Sequence, residues 1–180
     1  MGKEIIIVTI SLGNDGAERI FTELARQWHH DGHEITVIQT SPNRYGTEYA
    51  LPEGIEQIQI HTTSSNKILR FLQEIKALIG ILKQRPNATC LSFLSASSFI
   101  LAISSWFVKN RMVFSERNNP RKVPVGKHQQ ILRNFAFRFA DAIVFQTEDA
   151  KSYFSNSIKS LSFGIFHYPF FFLLLRNYLA

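Results

Sequence analysis

Residues 5–19 read IIIVTISLGNDGAER, and this stretch decides the fold class of the chain. The apolar run from Ile5 to Ile10 predicts a strand that is buried on both faces, as in the middle of a parallel sheet. The Gly, Asn and Asp residues that follow predict a tight turn, and apolar residues at helical spacing begin at Ala17. A strand, a turn and a helix start leave backbone N–H groups where an anionic ligand can bind.

The same alternation of strands and helices continues along the chain. The sequence predicts further strands at 34–39, 55–60, 89–94, 111–115 and 142–145, and helices at about 17–28, 64–83, 97–108, 127–139 and 148–154. The polar and apolar alternation of 55–60 indicates a strand near an edge of the sheet, and the apolar helix 97–108 is expected to be buried against it. We therefore expect an α/β fold with a doubly wound, mostly parallel Rossmann-like sheet.

Composition and charge limit the classes of function. The chain of 180 residues is 45% hydrophobic and 19% charged, which is typical of a globular protein. Its net charge of +6 is scattered, which suits an anionic ligand or an anionic membrane surface and predicts no nucleic-acid partner. Cys90 is the only cysteine and Glu4 interrupts the basic N-terminus, so we expect a reducing compartment and no secretory signal.

Three predicted loops leave the carboxyl ends of strands, where ligands bind in such sheets: 13–19, 41–54 and 116–127. The third loop carries Arg117, Arg121, Lys122 and Lys127, which suit a phosphate or diphosphate. The alternative is a solvated loop held by prolines. In the first loop, Asp15 as N-cap would place Glu18 at position N3, and this capping box needs no ligand, although it leaves room for one.

Two other kinds of site fit the sequence poorly. The spacing Gly13-x-x-Gly16 differs from the G-x-G-x-x-G of dinucleotide-binding proteins, and the second strand ends in Gln39 rather than an acidic residue. His29 and His30 lie at the predicted end of a helix, where histidine favours the helix dipole, and with His33 they lack a carboxylate or thiolate at ligand spacing. The sequence therefore predicts neither a dinucleotide site nor a metal site.

Four ordered motifs resemble a known family. The segment GNDGAERIFTELARQWHHDGHEITVIQT at 13–40 resembles the amino-terminal part of family 4-like glycosyltransferases of the GT-B fold, in which a GGAER-type loop precedes a helix. The segments LSFLSASS at 91–98, VFSERNNP at 113–120 and FRFADAIVFQTEDAKSYF at 137–154 resemble later motifs of the same domain. The resemblance covers about 5–155, and it implies the N-terminal half of a GT-B fold.

The resemblance implies sugar transfer from a nucleotide-sugar donor to a glycan or lipid-linked acceptor, with retention at the anomeric carbon and without a metal or other cofactor. It implies that this domain holds the acceptor, in the cytoplasm or peripherally at the inner face of the membrane. By matching position, the residues of the loop are Gly16, Ala17, Glu18 and Arg19, and those of a second substrate-binding site are Glu116, Arg117 and Asn118. Asp15 stands where the family most often has glycine, which strengthens its capping role and weakens a phosphate role there.

The end of the chain departs from the family. We divide the chain into a Rossmann-like domain at 1–155 and an apolar tail at 156–180, because five of the sixteen phenylalanines lie in the last twenty residues. We interpret this break as a truncated or frameshifted end, with the donor domain absent and the chain inactive alone; a short membrane-seeking tail is the alternative. Two alternative functions remain: one chain of a two-chain glycosyltransferase, or a non-catalytic Rossmann-like module that docks through its apolar tail. No catalytic residue is assigned.

Overall fold

The computed structural model describes residues 2–12, 16–41, 50–93, 95–116, 121 and 126–165. In these residues strands and helices alternate as the sequence predicts. The strands are β1 (Glu4–Thr9), β2 (Glu34–Gln39), β3 (Glu56–Gln59), β4 (Thr89–Ser92), β5 (Arg111–Glu116), β6 (Ala142–Phe145) and β7 (Ser162–Ile165). The helices are α1 (Gly16–His30), α2 (Lys67–Gln84), α3 (Ser95–Ser104), α4 (Lys127–Phe137), α5 (Glu148–Ser152) and α6 (Asn156–Lys159).

The strands of the described residues form one parallel sheet in the order β3-β2-β1-β4-β5-β6-β7. β1 lies inside the sheet and β3 lies at an edge, which confirms both expectations. The strand order changes direction between β1 and β4, since β2 and β3 extend the sheet on one side and β4 to β7 on the other. Such a switch point is where doubly wound sheets bind ligands, outside the carboxyl ends of the strands. The predicted fold class is confirmed.

Helix α1 packs on one face of the sheet. Phe21, Leu24 and Trp28 are at most 1% exposed and belong to one apolar cluster with Ile5 and Ile7 of β1. Successive side chains of a strand lie on opposite faces, so the other apolar side chains of β1 require a second layer of helices on the opposite face of the sheet.

Helices α2, α3 and α4 pack on the opposite face. Ile6 of β1 clusters there with Leu78 of α2, Leu101 of α3 and Phe137 of α4, all of them buried. Because α2 and α4 both lie beside α3, the three helices form one layer whose first turns stand at the carboxyl edge of the sheet.

The end of α1 follows the predicted glycine stop. Gly32 has φ +85°, a left-handed conformation that side chains with a Cβ rarely adopt. Its N–H donates to the carbonyl oxygen of His29 at 3.0 Å, and the N–H of His33 donates to that of Trp28 at 2.9 Å. This pair of bonds is the Schellman motif, which satisfies carbonyls that the helix leaves without a partner.

The amino edge of the sheet is closed by ion pairs. The guanidinium of Arg85, directly after α2, lies 3.2 Å from the Glu4 carboxylate and 2.5 Å from that of Glu56. Burial, with a smaller contribution from the neighbouring Glu34, raises the pKa of Glu4, and the Arg85 charge opposes the rise. Asn110 donates from Nδ2 to the carbonyl oxygen of Arg85 at 2.6 Å. These contacts join the first residues of β1 and β3 to the end of α2.

Two features differ from the sequence expectation. The helix expected at 97–108 ends at Ser104 and continues as a 3-10 turn, Ser105–Phe107, whose Trp106 and Phe107 are 59% and 56% exposed rather than buried. Strand β7 was not predicted, because Phe145 was taken as the end of the last strand. It pairs with β6 and lies within the segment interpreted as a tail. The boundary at 155 stays a prediction, and residues 166–180 lie outside the described residues.

Candidate functional site

A cavity of about 370 Å³ lies at the carboxyl ends of β1 and β2. Ile10 directly follows β1, and Thr40 and Ser41 directly follow β2, so the sheet places these three residues at its ligand-binding edge. The helix layer supplies the remaining lining residues, which are Phe71 and Glu74 of α2, Phe99 and Ile100 of α3, and Gln129 and Leu132 of α4. The volume lies in the range of small-molecule sites.

The lining combines aromatic surface with a few polar groups. The rings of Phe71 and Phe99 stack with centroids 5.7 Å apart and an interplanar angle of 17°. Flat rings of this kind offer a surface to the apolar face of a sugar or to a hydrocarbon chain, while Glu74, Gln129 and Thr40 offer hydrogen bonds. The cavity therefore suits a ligand that has both an apolar body and hydroxyl groups.

Glu74 is the ionisable residue in this lining. Burial raises its pKa, and the nearby charge of Arg70, one helical turn earlier, opposes the rise. Within the part of the chain that the structure describes, no side chain or backbone N–H donates a hydrogen bond to its carboxyl group. A partly buried carboxylate of this kind can accept a hydrogen bond from a ligand hydroxyl.

The turn into α1 holds the first predicted site. Glu18 is 5% exposed, and its Oε1 accepts a hydrogen bond from Ser11 Oγ at 3.2 Å, which ties the segment after β1 to the first turn of the helix. The Glu18 carbonyl oxygen accepts from Thr22 Oγ1 at 2.9 Å. Arg19 is exposed beside it. Asp15, the proposed N-cap, lies outside the described residues, as does the side chain of Ala17.

The second predicted site begins at Glu116, the last residue of β5. Its carboxylate is buried and pairs with the Arg133 guanidinium of α4, at 3.5 Å between Oε2 and Nη1. Arg133 is 2% exposed, its Cζ lies 4.7 Å from the Phe154 ring centroid, and its Nε and Nη2 have no hydrogen-bond partner among the described residues. Arg117 and Asn118 lie outside the described residues. Arg133 was not predicted as a site residue, since an arginine on a helix is usually exposed.

The sheet brings the two predicted sites to one edge. Glu18 follows β1 and Glu116 ends β5, and since only β4 separates those strands, their ends stand about 10 Å apart. Both carboxylates are buried within the fold. Arg121 of the basic loop instead donates from Nη2 to Ser152 Oγ at 3.2 Å. The role of each predicted residue in substrate binding stays a prediction.

Many protein families share a doubly wound parallel sheet, and a sequence match identifies the family of this chain. The model of Glycosyltransferase Family 4 matches residues 14–160, which is most of the chain. The chain belongs to Glycosyltransferase Family 4. The resemblance inferred from the sequence motifs is confirmed, and the match extends five residues past the predicted boundary at 155. No curated protein matches the family 4 chain significantly.

Solved glycosyltransferases share the fold at low sequence identity. Anabaena HepE, solved in complex with UDP and glucose, is 13% identical, with a TM-score of 0.68 over 92% of this chain and 44% of that one. Sucrose-phosphate synthase from Thermosynechococcus elongatus is 5% identical, with a TM-score of 0.69 over 90% and 47%. The lipopolysaccharide outer core galactosyltransferase WaaB is 12% identical, with a TM-score of 0.64 over 83% and 41%. The family 4 chain thus spans less than half the length of these proteins.

The remaining predictions concern metals and membranes. Among the described residues of the family 4 chain, no group of three or more His, Cys, Asp and Glu side chains could hold a metal ion. His33 accepts a hydrogen bond at Nδ1 from the backbone N–H of Lys3 at 3.0 Å, so it joins the start of β1 to that of β2. None of the described helices is long and apolar enough to cross a bilayer.

Proposed function

We propose that this family 4 chain is the acceptor-side domain of a retaining glycosyltransferase, which transfers a sugar from a nucleotide-sugar donor to a glycan or lipid-linked acceptor. The cavity at the carboxyl ends of β1 and β2 is the observation that carries the proposal. Its stacked rings and its Glu74 carboxyl group, which accepts no hydrogen bond from the described residues, suit a ligand with a sugar hydroxyl next to an apolar surface. The nucleotide sugar is a substrate, and the proposal includes no cofactor.

The donor side of the proposal rests on the solved relatives. HepE is described with UDP and with UDP-glucose, which supports a nucleotide sugar as donor. This chain spans 44% of HepE, so we propose that the nucleotide site belongs to the part of such an enzyme that this chain does not span, and that the 180-residue chain is inactive alone. A separately encoded donor chain would complete the enzyme equally well.

The predicted loop residues have a place in this scheme. We propose that Gly16 to Arg19, which follow β1 in the sequence, and Glu116 to Asn118, which begin at the last residue of β5, contact the donor phosphates and the reacting hydroxyl. The Glu18 and Glu116 carboxylates are held by Ser11 and Arg133, respectively, so their positions are fixed before a ligand arrives. The enzyme would act in the cytoplasm, peripherally at the inner face of the membrane.

Saturation-transfer NMR on the purified chain tests the acceptor assignment. The probes are octyl β-glucoside below its micellar concentration, which joins a sugar to an apolar chain, and UDP. We expect saturation of octyl glucoside and none of UDP. The variant Glu74→Gln/Gln129→Ala removes two hydrogen-bonding groups from the cavity and should weaken octyl glucoside binding by about tenfold.

The control variant is Arg26→Ala/His30→Ala, which changes a second cavity of about 420 Å³ beside the end of α1 and should leave binding unchanged. Equal weakening in both variants would remove the cavity assignment. Binding of UDP without octyl glucoside would reverse the assignment of the domain. Transfer of glucose from UDP-glucose by the chain alone, detected by mass spectrometry, would overturn the proposed inactivity.

A further inference from the structure

Large apolar side chains stand exposed on both sides of the cavity. On α2, Ile68, Leu69 and Leu72 are 71%, 53% and 54% exposed, and they flank the cavity residue Phe71. On α4, Ile131 is 65% exposed and lies beside the cavity residue Leu132, which is 39% exposed. We call these five residues the rim surface. Clustered exposed apolar residues of this size are typical of interaction sites rather than of a free protein surface.

On α2, the exposed apolar residues of the rim surface are confined to the first two turns of the helix. The same helix α2 turns Ile75, Leu78 and Leu82 into the core, so its first two turns differ from the rest in carrying apolar residues outward as well. An amphipathic helix with one buried stripe has no structural need for these outward apolar residues. They need another reason.

The exposed charged side chains beside the rim surface on α2 and α4 are cations, while Glu74 is partly buried in the cavity. Lys67 and Arg70 are exposed on the same two turns of α2, and Lys127 is exposed at the start of α4. The sequence from 57 to 73 contains no acidic residue, and the sequence from 117 to 140 contains no acidic residue and six basic ones, of which Arg133 is buried in its pair with Glu116. Apolar side chains interleaved with cations are the composition of surfaces that bind anionic bilayers.

We propose that the rim surface docks on an anionic lipid bilayer, with its Ile and Leu side chains in the headgroup boundary and with Lys67, Arg70 and Lys127 at the lipid phosphates. A second copy of the chain fits less well, because a two-fold symmetric contact would bring these cations against one another. Docking in this way turns the mouth of the cavity toward the membrane, and it does so through α2 and α4 without the C-terminal tail.

This orientation also selects the acceptor class, a step that rests on the proposed function. A cavity that opens between membrane-embedded side chains receives its ligand from the bilayer, so the acceptor is a lipid-linked sugar rather than a free glycan. The lipid chain leaves along the apolar rim surface, and the sugar meets Glu74 and Gln129.

Vesicle co-sedimentation of the full 180-residue chain tests the docking. The vesicles are equimolar phosphatidylglycerol and phosphatidylcholine, or phosphatidylcholine alone. We expect binding to the anionic vesicles, weaker binding at high salt, and little binding to phosphatidylcholine. Leu69→Ser/Leu72→Ser should lower the affinity by more than about tenfold, since it removes two inserted side chains. Lys67→Gln/Arg70→Gln should lower it on anionic vesicles only.

The matched control is Trp106→Ser/Phe107→Ser, which removes two equally exposed apolar residues from the 3-10 turn after α3, outside the rim surface. It should bind as the wild type does, with circular dichroism verifying the fold of each variant. Wild-type chain left in the supernatant, an equal loss in the control, or full binding by Leu69→Ser/Leu72→Ser would overturn the proposal. A dimer that dissociates in that variant, seen by ultracentrifugation, would assign the surface to a second copy. None of these outcomes alters the octyl glucoside result, which involves no bilayer.

Discussion

Replacing Arg133 with methionine should destabilise the chain far more than breaking the surface ion pair Arg26–Glu23, although the atoms of the surface pair lie closer together. The side chains of Arg133 and Glu116 are 3% and 7% exposed, and they meet at 3.5 Å. The methionine fills part of the same volume but leaves the Glu116 carboxylate buried without its cation. Breaking one side of a buried ion pair costs about 3–5 kcal/mol, and the lost contact with the Phe154 ring adds to this cost.

The surface pair Arg26–Glu23 gives the matched control. Its nitrogen and oxygen are only 2.8 Å apart, but the two side chains are 50% and 41% exposed. Water already solvates both charges, so Arg26→Met should cost less than about 1 kcal/mol. If interatomic distance alone decided the cost, the order of the two variants would be reversed.

Urea unfolding at 25 °C, followed by circular dichroism, measures both losses. Arg133→Met should lower the free energy of unfolding by at least about 3 kcal/mol, which corresponds to roughly 10 °C in Tm for a chain of this size. Arg133→Met/Glu116→Gln should regain about 1 kcal/mol or more, because it removes the buried charge that Arg133 balances in the wild type. Equal losses for Arg133→Met and Arg26→Met would refute the reasoning from burial.

Three further predictions concern single side chains. Asn66 caps α2 by accepting from the N–H groups of Ile68 and Leu69 at 2.9 and 3.3 Å, so Asn66→Ala should lose about 1 kcal/mol of unfolding free energy, while Asn66→Asp should retain it. Burial raises the pKa of Glu74, so the folded state loses stability as the pH rises through that pKa. Glu74→Gln should therefore be more stable than the wild type near pH 7 but not at about pH 4. Urea unfolding at both pH values measures the difference. Burial also raises the pKa of the Cys90 thiol far above its usual range, so a thiol reagent should label this residue only after denaturation, and rapid labelling of the native chain would contradict its place in β4.

The sequence predicted the sheet well because its strands carry strong local patterns. Residues Ile5 to Val8 are apolar at every position, as expected of a strand covered on both faces, and β1 is buried on both faces. Trp106 and Phe107 show where that reasoning fails. An apolar run predicts burial, but α3 ends at Ser104 and the chain turns these two side chains outward.

The site was harder to predict because its residues come from distant segments. Phe71 and Glu74 look like ordinary positions of an amphipathic helix, and only the packing of α2 against α3 and α4 makes them part of a cavity with Thr40. Arg133 gave no signal either, since an arginine on a helix is usually exposed. The loop motif predicted that Gly16 to Arg19 follow the carboxyl end of β1, because a strand-turn-helix unit puts its turn there, and α1 begins at Gly16.

The two edges of the sheet differ in how well their polar and apolar groups are satisfied by the described chain. At the amino edge, Arg85 compensates the charges of Glu4 and Glu56, and a ligand would find few free groups there. At the carboxyl edge, neither Glu74 nor two nitrogen atoms of Arg133 have a hydrogen-bond partner among the described residues, and Ile68 and Ile131 are exposed to solvent. Each of these features costs folding free energy that a better-packed surface would avoid. The proposed acceptor in the cavity and the proposed bilayer on the rim surface would contact these groups, which accounts for their concentration at one edge. Substitutions at Arg85 should therefore change unfolding alone, whereas substitutions at Glu74 and Leu69 should change binding in a chain that still folds.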